Sequence, residues 1–323
     1  MDSARLSGPV VTVTANPSFD RTVALRGPLE RGAVQRVAQM TSQAGGKGVN
    51  ISRAAVRAGV PTIAVLPADA DDPFVLELQA AGVRCEPSQP SGSIRVNLTL
   101  TEPDGVTTKL NSPGATMDAA HLRHLADTVV EHAQGAAWVV LAGSLPPGAP
   151  DDFYAHLLSR LRSVARVAVD TSERPLAALF GVLETAAPAL MKPNAEELAS
   201  VTGADPEKLE SDPVVAARAA AELVDRGVES VLATLGARGA VLVDRAGAWH
   251  AAAPPVAVLS TVGAGDASLF GYLLGDLRDL DSAGRLALAV AYGSAAAALP
   301  GTGIPHPEDV DPGAVEVHQL SIP

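Results

Sequence analysis

The chain has 323 residues, 47% of them hydrophobic, with 24 Lys and Arg against 36 Asp and Glu and a single cysteine. That is ample material for a large buried core. One cysteine, Cys85, excludes an intramolecular disulfide and a cysteine-based metal cluster, and a net charge of −12 speaks against a nucleic-acid partner, which needs clustered positive charge. The charge is uneven: residues 1–112 hold 11 basic and 10 acidic side chains, residues 113–323 hold 13 and 26. An anionic small molecule is therefore expected to meet the first third, where local cations have less to overcome.

No stretch approaches the roughly 20 apolar residues of a membrane helix, and "MDSARLSGPVVTVTANPSFD" lacks the apolar core of a secretory leader. No membrane partner is expected, and the cytoplasm is the expected location.

In chain order, "VVTVT" (10–14) reads as a short buried strand. "SIRVNLTLTEPDGVTTKLN" (93–111) reads as a hairpin, with Ile94, Val96, Leu98 and Leu100 alternating before a "PDG" turn. From about residue 113, helical patterns (118–133, 151–165, 213–227) alternate with short apolar runs, which predicts βα units around a mostly parallel sheet. "GAVLVDRAGAWHAAAPPVAVLS" (239–260) reads as a hairpin insertion, followed by helices at 265–279 and 282–299. The expected architecture is one α/β domain over 1–323, with a small β-rich lid formed by about 15–45 and 90–112.

Polar and glycine-rich stretches follow the strand-like runs: "ANPSFD", "GSLPPG", "KPNAEE" and "TLGARG". Ligands of open α/β sheets sit beyond the carboxyl ends of the strands, so these stretches predict one shared cleft.

Two glycine loops carry the chemistry. In "TVGAGD" (261–266), Gly263, Ala264 and Gly265 precede a helix starting near Asp266. Exposed N–H groups at such a start suit an anion, and Asp266 beside them suits a base for an attacking hydroxyl. The competing reading is that Asp266 only caps the helix. The G-x-G spacing also resembles a dinucleotide loop, but Ser268 stands where a third glycine would be and no ribose-binding acid follows, which disfavours a dehydrogenase. In "QAGGKGVNISRA" (43–54), Lys47 is one of only four lysines. A compact ammonium there suits phosphate or hydroxyls, and Asn50 one turn on offers a donor and an acceptor.

"GGKGVNISRA", "VTANPSFD" and "STVGAGDA" together resemble the PfkB (ribokinase-like) carbohydrate kinase family over nearly the whole chain. The opening and the G-G-K-G are similar to the branch containing 1-phosphofructokinase and tagatose-6-phosphate kinase. The resemblance implies a ribokinase-like α/β fold and ATP-dependent phosphorylation of a ketohexose phosphate, first fructose 1-phosphate, with tagatose 6-phosphate or fructose 6-phosphate as alternatives. A catalytically silent sugar-phosphate sensor is the alternative of a different class.

By the same resemblance, Asp266 is the catalytic base and Gly263, Ala264 and Gly265 form the anion hole. Asp20, Gly46, Lys47, Asn50, Arg95, Ser144 and Arg36 bind the phosphorylated sugar. Lys192, Asn194, Thr234, Gly236 and Gly239 face ATP, and Glu197 with Asn194 acts on Mg²⁺ through water. Asn194 as a helix cap and Glu197 as a first-turn acid is the bland reading of that pair. Exposed lid edges imply a homodimer through the lid. The chain departs from the family at Ala267, where serine is usual, and at "VLPADADDP" (65–73), where glycines are replaced by acids.

Overall fold

The computed structural model describes residues 8–322. Residues 1–7, where a leader reading would begin, lie outside the described residues. Among the described residues there are fourteen strands: β1 (Val10–Thr14), β2 (Ser18–Ala24), β3 (Gln39–Gly45), β4 (Thr62–Pro67), β5 (Arg84–Ser88), β6 (Arg95–Thr101), β7 (Thr107–Leu110), β8 (Trp138–Ala142), β9 (Arg166–Asp170), β10 (Leu190–Met191), β11 (Ser230–Thr234), β12 (Ala240–Asp244), β13 (Gly247–Ala251) and β14 (Val317–Leu320).

Ten of them form one sheet in the order β14-β13-β12-β11-β10-β9-β8-β1-β4-β5. From β5 to β11 every pairing is parallel, and β12, β13 and β14 add an antiparallel flank. Strands buried on both faces read as unbroken apolar runs, and β1 and β8 are buried at every residue. Their side chains alternate between two helical layers. Trp138, Val140 and Ala142 face the helices Lys47–Arg57, Ala264–Leu277 and Ser282–Ala297, while Val139 and Leu141 face Ala119–His132 and Phe153–Leu161.

The remaining four strands form a separate sheet, β3-β2-β6-β7. The 93–111 hairpin is its β6–β7 pair, joined antiparallel, and β2 lies parallel to β6 and antiparallel to β3. The chain leaves the end of β1, builds β2 and β3, and returns directly into the helix Lys47–Arg57. That helix lies so close on β1 that a side chain at position 48 would meet Val13 O at 2.7 Å, which explains Gly48.

Two elements differ from expectation. The 239–260 insertion forms β12 and β13 but stops at Ala251, and Pro254–Pro255 ends further pairing. The C-terminal β14 is not foreseen, because an edge strand with exposed His318 and Gln319 carries no apolar run.

The helix Ala264–Leu277 is enclosed along its length from Asp266 to Asp276 and packs on Ser282–Ala297. At the crossing, a Cβ on Gly271 would fall 2.5 Å from Leu288 O and 2.8 Å from Ala289 Cα. Gly271→Ala gains about 1 kcal/mol of helix propensity but overpacks against backbone, a cost of about 1–3 kcal/mol. We expect a net loss, seen as a lower urea midpoint with unchanged m-value; an unchanged or higher midpoint would show that the two helices can move apart freely.

Candidate active site

A single cleft of about 1070 Å³ opens beyond the carboxyl ends of β1, β8, β9, β10 and β11, under the small sheet. Its lining includes Asp20, Gly46, Lys47, Asn50, Arg95, Ser144, Lys192, Asn194, Glu197, Thr234, Gly236, Gly239, Gly263, Ala264, Gly265 and Asp266. Residues expected from seven separate stretches thus meet in one place. Arg36 does not join them: it is exposed in the β2–β3 connection and outside the cleft lining.

The helix carrying Asp266 begins at Ala264, one residue before the expected start at 265, with Gly263 as its N-cap at φ 83° and no side chain capping it. A left-handed residue at this point favours glycine, and the uncapped first-turn N–H groups lack intrahelical acceptors. Asp266 is therefore not a cap. Its carboxylate, 7% exposed, accepts from Asn50 Nδ2 at 2.8 Å. Asn50 Oδ1, on the same amide, is buried with no partner in the protein and can accept a hydrogen bond from a ligand.

The charge cluster behind Asp266 centres on Asp170 at the end of β9. Lys47 Nζ donates to Asp170 Oδ1 at 2.6 Å, and Lys192 Nζ lies 3.2 Å from Oδ2, an ion contact without hydrogen-bond geometry. Burial alone would raise the Asp170 carboxyl, but Lys192 and Lys47 hold it below the usual carboxylate range. Burial pulls Lys47 down, yet Asp170, Asp266 and Glu197 outweigh it and hold the ammonium above its ordinary value. Asp266 goes the other way: burial, then repulsion from Asp170, push its carboxyl up to about 6 against Lys47, Asn50 and Lys192. Lys192 Nζ also borders the glycine loop, 3.4 Å from where a Cβ of Gly265 would stand.

At the small-sheet end, Arg95 donates from Nη1 to Ser112 O at 2.9 Å and from Nη2 to Ser144 Oγ at 3.4 Å. Burial lowers its pKa from the ordinary arginine value, partly offset by Asp20, and the guanidinium remains a cation.

At the other end, Asn194 and Glu197 form a reciprocal capping box on the helix Ala195–Thr202: Glu197 N donates to Asn194 Oδ1 at 2.8 Å and Asn194 N to Glu197 Oε2 at 2.9 Å. The bland reading of this pair is realised, and both side chains still line the cleft. Thr234 bridges to Asn194, which brings the turn of Gly236 and Gly239 alongside.

Asp170, Asn97 and the 253–259 segment have no role foreseen from sequence, yet Pro254, Pro255, Val256 and Val258 wall the far end of the cleft. An acid closing the apolar run "RVAVD" and an asparagine two residues after Arg95 on the same strand face were the available signals. The acids of the divergent 65–73 stretch stay outside the cleft: Asp72 caps the helix Pro73–Ala80, and Asp69 and Asp71 are exposed.

A raised carboxyl is a stability cost with a defined pH window. Asp266 binds its proton more tightly folded than unfolded, so its burial costs nothing below about pH 4 and reaches its full value above about pH 6. Two pKa units correspond to at most about 3 kcal/mol. Asp266→Asn is expected to be more stable than the parent at pH 8, with the difference shrinking toward zero near pH 4 in urea unfolding. A difference independent of pH would show that the carboxyl is not raised.

The family described as pfkB family carbohydrate kinase matches residues 13–309. A 1-phosphofructokinase of Rhodobacter capsulatus is 38% identical over 304 residues, covering 93% of each chain. One from Xanthomonas campestris is 35% identical over 291 residues, covering 88% of this chain and 90% of that relative. The solved phosphofructokinase-2 of Escherichia coli, in complex with substrates and products, superimposes with a TM-score of 0.84 at 28% identity, covering 93% of this chain and 96% of that one. The ribokinase-like fold implied by the motifs is the fold observed. With the family match spanning most of its length, the chain belongs to the pfkB family of carbohydrate kinases, enzymes that transfer a phosphoryl group to a sugar hydroxyl.

Proposed function

We propose that this kinase uses ATP to convert fructose 1-phosphate to fructose 1,6-bisphosphate, with Asp266 as the general base. The observation that carries the reading is a carboxyl raised to about 6, held by Asn50 and set in the first turn of an uncapped, glycine-initiated helix. A base with a pKa near working pH is deprotonated yet still accepts a proton usefully. The names of the relatives support fructose 1-phosphate as the sugar.

In this reading the small-sheet end of the cleft binds the sugar. Arg95, with Ser144 beside it, holds the phosphate already present, while Lys47 meets the hydroxyl side of the sugar and Asp20 and Asn50 Oδ1 accept from hydroxyls. The free primary hydroxyl lies against Asp266, which takes its proton as the oxygen attacks the γ-phosphorus of ATP, and the bond from that phosphorus to the β,γ-bridging oxygen breaks to release ADP. The N–H groups of Gly265 and Asp266, with that of Ala264 shared with Thr261 O at 3.4 Å, receive the charge that develops on the transferring group. Lys192, Thr234, Gly236 and Gly239 lie along the donor phosphates, and the wall of 253–259 with Val290, Gly293 and Ala297 offers small apolar residues to the base.

The donor set at Asn194 and Glu197 fits a hydrated Mg²⁺. Glu197 commits Oε2 to the cap and keeps Oε1 free, and among the described residues no cluster of three or more metal-ligating acids, histidines or cysteines exists. Mg²⁺ needs few protein ligands because it retains water; when bound it neutralises charge on the ATP phosphates. The chemistry of these substrates suits a cytoplasmic enzyme, and no helix among the described residues is long and apolar enough to cross a membrane.

ADP release should be compared for fructose 1-phosphate, tagatose 6-phosphate and fructose 6-phosphate under equal conditions. We expect the first to have the highest kcat/KM, by about tenfold or more, a margin of about 1.4 kcal/mol. A different ranking reassigns the sugar, and turnover on none of them leaves a sensor as the better reading. Asp266→Asn should lower kcat by about 10²–10⁴-fold while calorimetric sugar-phosphate binding survives.

The homodimer is proposed through the apolar face of the small sheet. The face opposite Asp20 packs at its Phe19 end on Phe74, and beyond that carries Met40, Leu98, Leu100 and Leu110 around an exposed Arg21, with Met40 55% and Leu110 52% exposed. An uncovered apolar face of this kind marks an association surface. Sedimentation should give twice the 32.8 kDa chain mass, and Met40→Glu with Leu110→Glu should give the monomer; a monomeric parent would refute the interface.

A further inference from the structure

Asn97 lies on the small sheet's cleft face between Asp20 and Arg95, the two groups proposed to meet the sugar and its phosphate, and lines the cleft itself. The register sets it directly beside Asp20, as it sets Arg95 beside Ser18. Asn97 Nδ2 donates to Asp20 Oδ1 at 3.1 Å and to Ser18 Oγ at 3.0 Å, and Ser18 Oγ itself donates to Asp20 Oδ1 at 2.8 Å. Its other end is equally engaged: Asn97 Oδ1 accepts from Ser112 N at 3.2 Å. Facing a carboxylate on one side and a backbone N–H on the other, the amide has only one satisfactory orientation.

Two consequences follow for the groups it touches. Asp20 has Oδ1 taken by two donors, while Oδ2 lies over Gly45, where an added Cβ would stand only 2.2 Å away. The carboxylate is thus fixed in one rotamer, and Oδ2 is left to meet a ligand. Ser112 is held on both sides of its backbone, by Asn97 at N–H and by Arg95 at C=O, and its hydroxyl donates to Val96 O at 2.7 Å. The same seryl residue therefore fixes the arginine.

We propose that Asn97 is a positioning residue that couples hydroxyl recognition by Asp20 to phosphate recognition by Arg95. The proposal rests on the phosphosugar-kinase reading. Without Asn97 the Asp20 carboxylate samples other rotamers, and Ser112 loses one of the contacts that aim Arg95, so sugar binding suffers while chemistry at Asp266 and the nucleotide end do not. The expected phenotype is a split between the two substrates. A hydrogen bond to a charged group is worth about a 10–100-fold change in affinity.

The test is steady-state kinetics of Asn97→Ala, Asp20→Asn and the double variant, with sugar phosphate and ATP varied separately. Asn97→Ala should raise KM for the sugar phosphate about 10–100-fold, leave KM for ATP unchanged, and change kcat less than about threefold. Because Asn97 acts partly through Asp20, the double variant should lose less than the product of the two single losses. Asn97→Thr, a good strand residue without the amide, serves the same comparison should alanine fold poorly. Equal loss with both substrates, a fall in kcat alone, or fully multiplicative losses would overturn the role of Asn97 while leaving the kinase reading intact. A parent enzyme inactive on every phosphosugar would instead overturn the kinase reading, and this proposal with it.

Discussion

The site depends on one buried carboxylate between two ammonium groups. Asp170 ends β9, Lys192 follows β10, and Lys47 opens the helix that returns from the small sheet. Asp170 and Lys192 would not be tolerable alone in that position, because an isolated buried charge costs several kcal/mol, whereas the Lys47 side chain keeps 34% exposure. Together they join the large sheet to the segment that carries the small one. They also set the charge around Asp266: two lysines against Asp170 and Asp266 give a neutral cluster while Asp266 is ionised. The rest of the cleft lining stays acidic, with Asp20, Glu196, Glu197 and Glu210 against Arg95, so the neutral cluster is the part of the lining that adds no further negative charge against an anionic substrate.

Opposing effects of different size determine how Asp266 titrates. It lies in the first turn of its helix, where the macrodipole favours a carboxylate by about 0.3–1 kcal/mol, less than one pKa unit. Asn50 and the two lysines add to that pull. Burial and Asp170 nevertheless win, and the carboxyl rises to about 6. Removing Lys47 or Lys192 would push it higher still, while removing Asp170 would lower it, so the lysines and Asp170 act as opposed controls on one proton. Ala267, next in sequence, is buried at 2% exposure on the core side, so the serine usual there in the family has no capping task to perform in this chain.

The parts of the site legible in the sequence share one property: they are loops whose composition is unusual for a loop. Glycine runs after strand ends, a lysine in a lysine-poor chain and an acid after G-A-G all stand out locally. Asp170 does not, because an acid after "RVAV" looks like any strand end; its meaning comes from Lys47, 123 residues earlier. Arg36 shows the reverse failure, since a cation in the right segment says nothing about which way the β2–β3 connection turns. Asn194 and Glu197 show that two readings can hold together: the capping box uses one oxygen of each residue and leaves other atoms facing the cleft. The 253–259 wall was invisible because alanine, proline and valine read as core or turn, and only the fold turns them toward a cavity.

The two faces of the small sheet are bound to one another by strand register. Along β2 and β6, Ser18, Asp20, Arg95 and Asn97 face the cleft, while Phe19, Val23, Leu98 and Leu100 face away. Strand side chains alternate with period two, so a one-residue slip would carry the recognition row to the outside and the apolar row into the cleft. Phe19 resists such a slip by packing edge-on against Phe74 of the large domain at 5.2 Å, and Asn97 resists it through Asp20 and Ser112. The two contacts lie on opposite faces of the sheet, so both faces oppose the same error. A change that loosens the register on the apolar face is therefore felt at Asp20 and Arg95 without touching either.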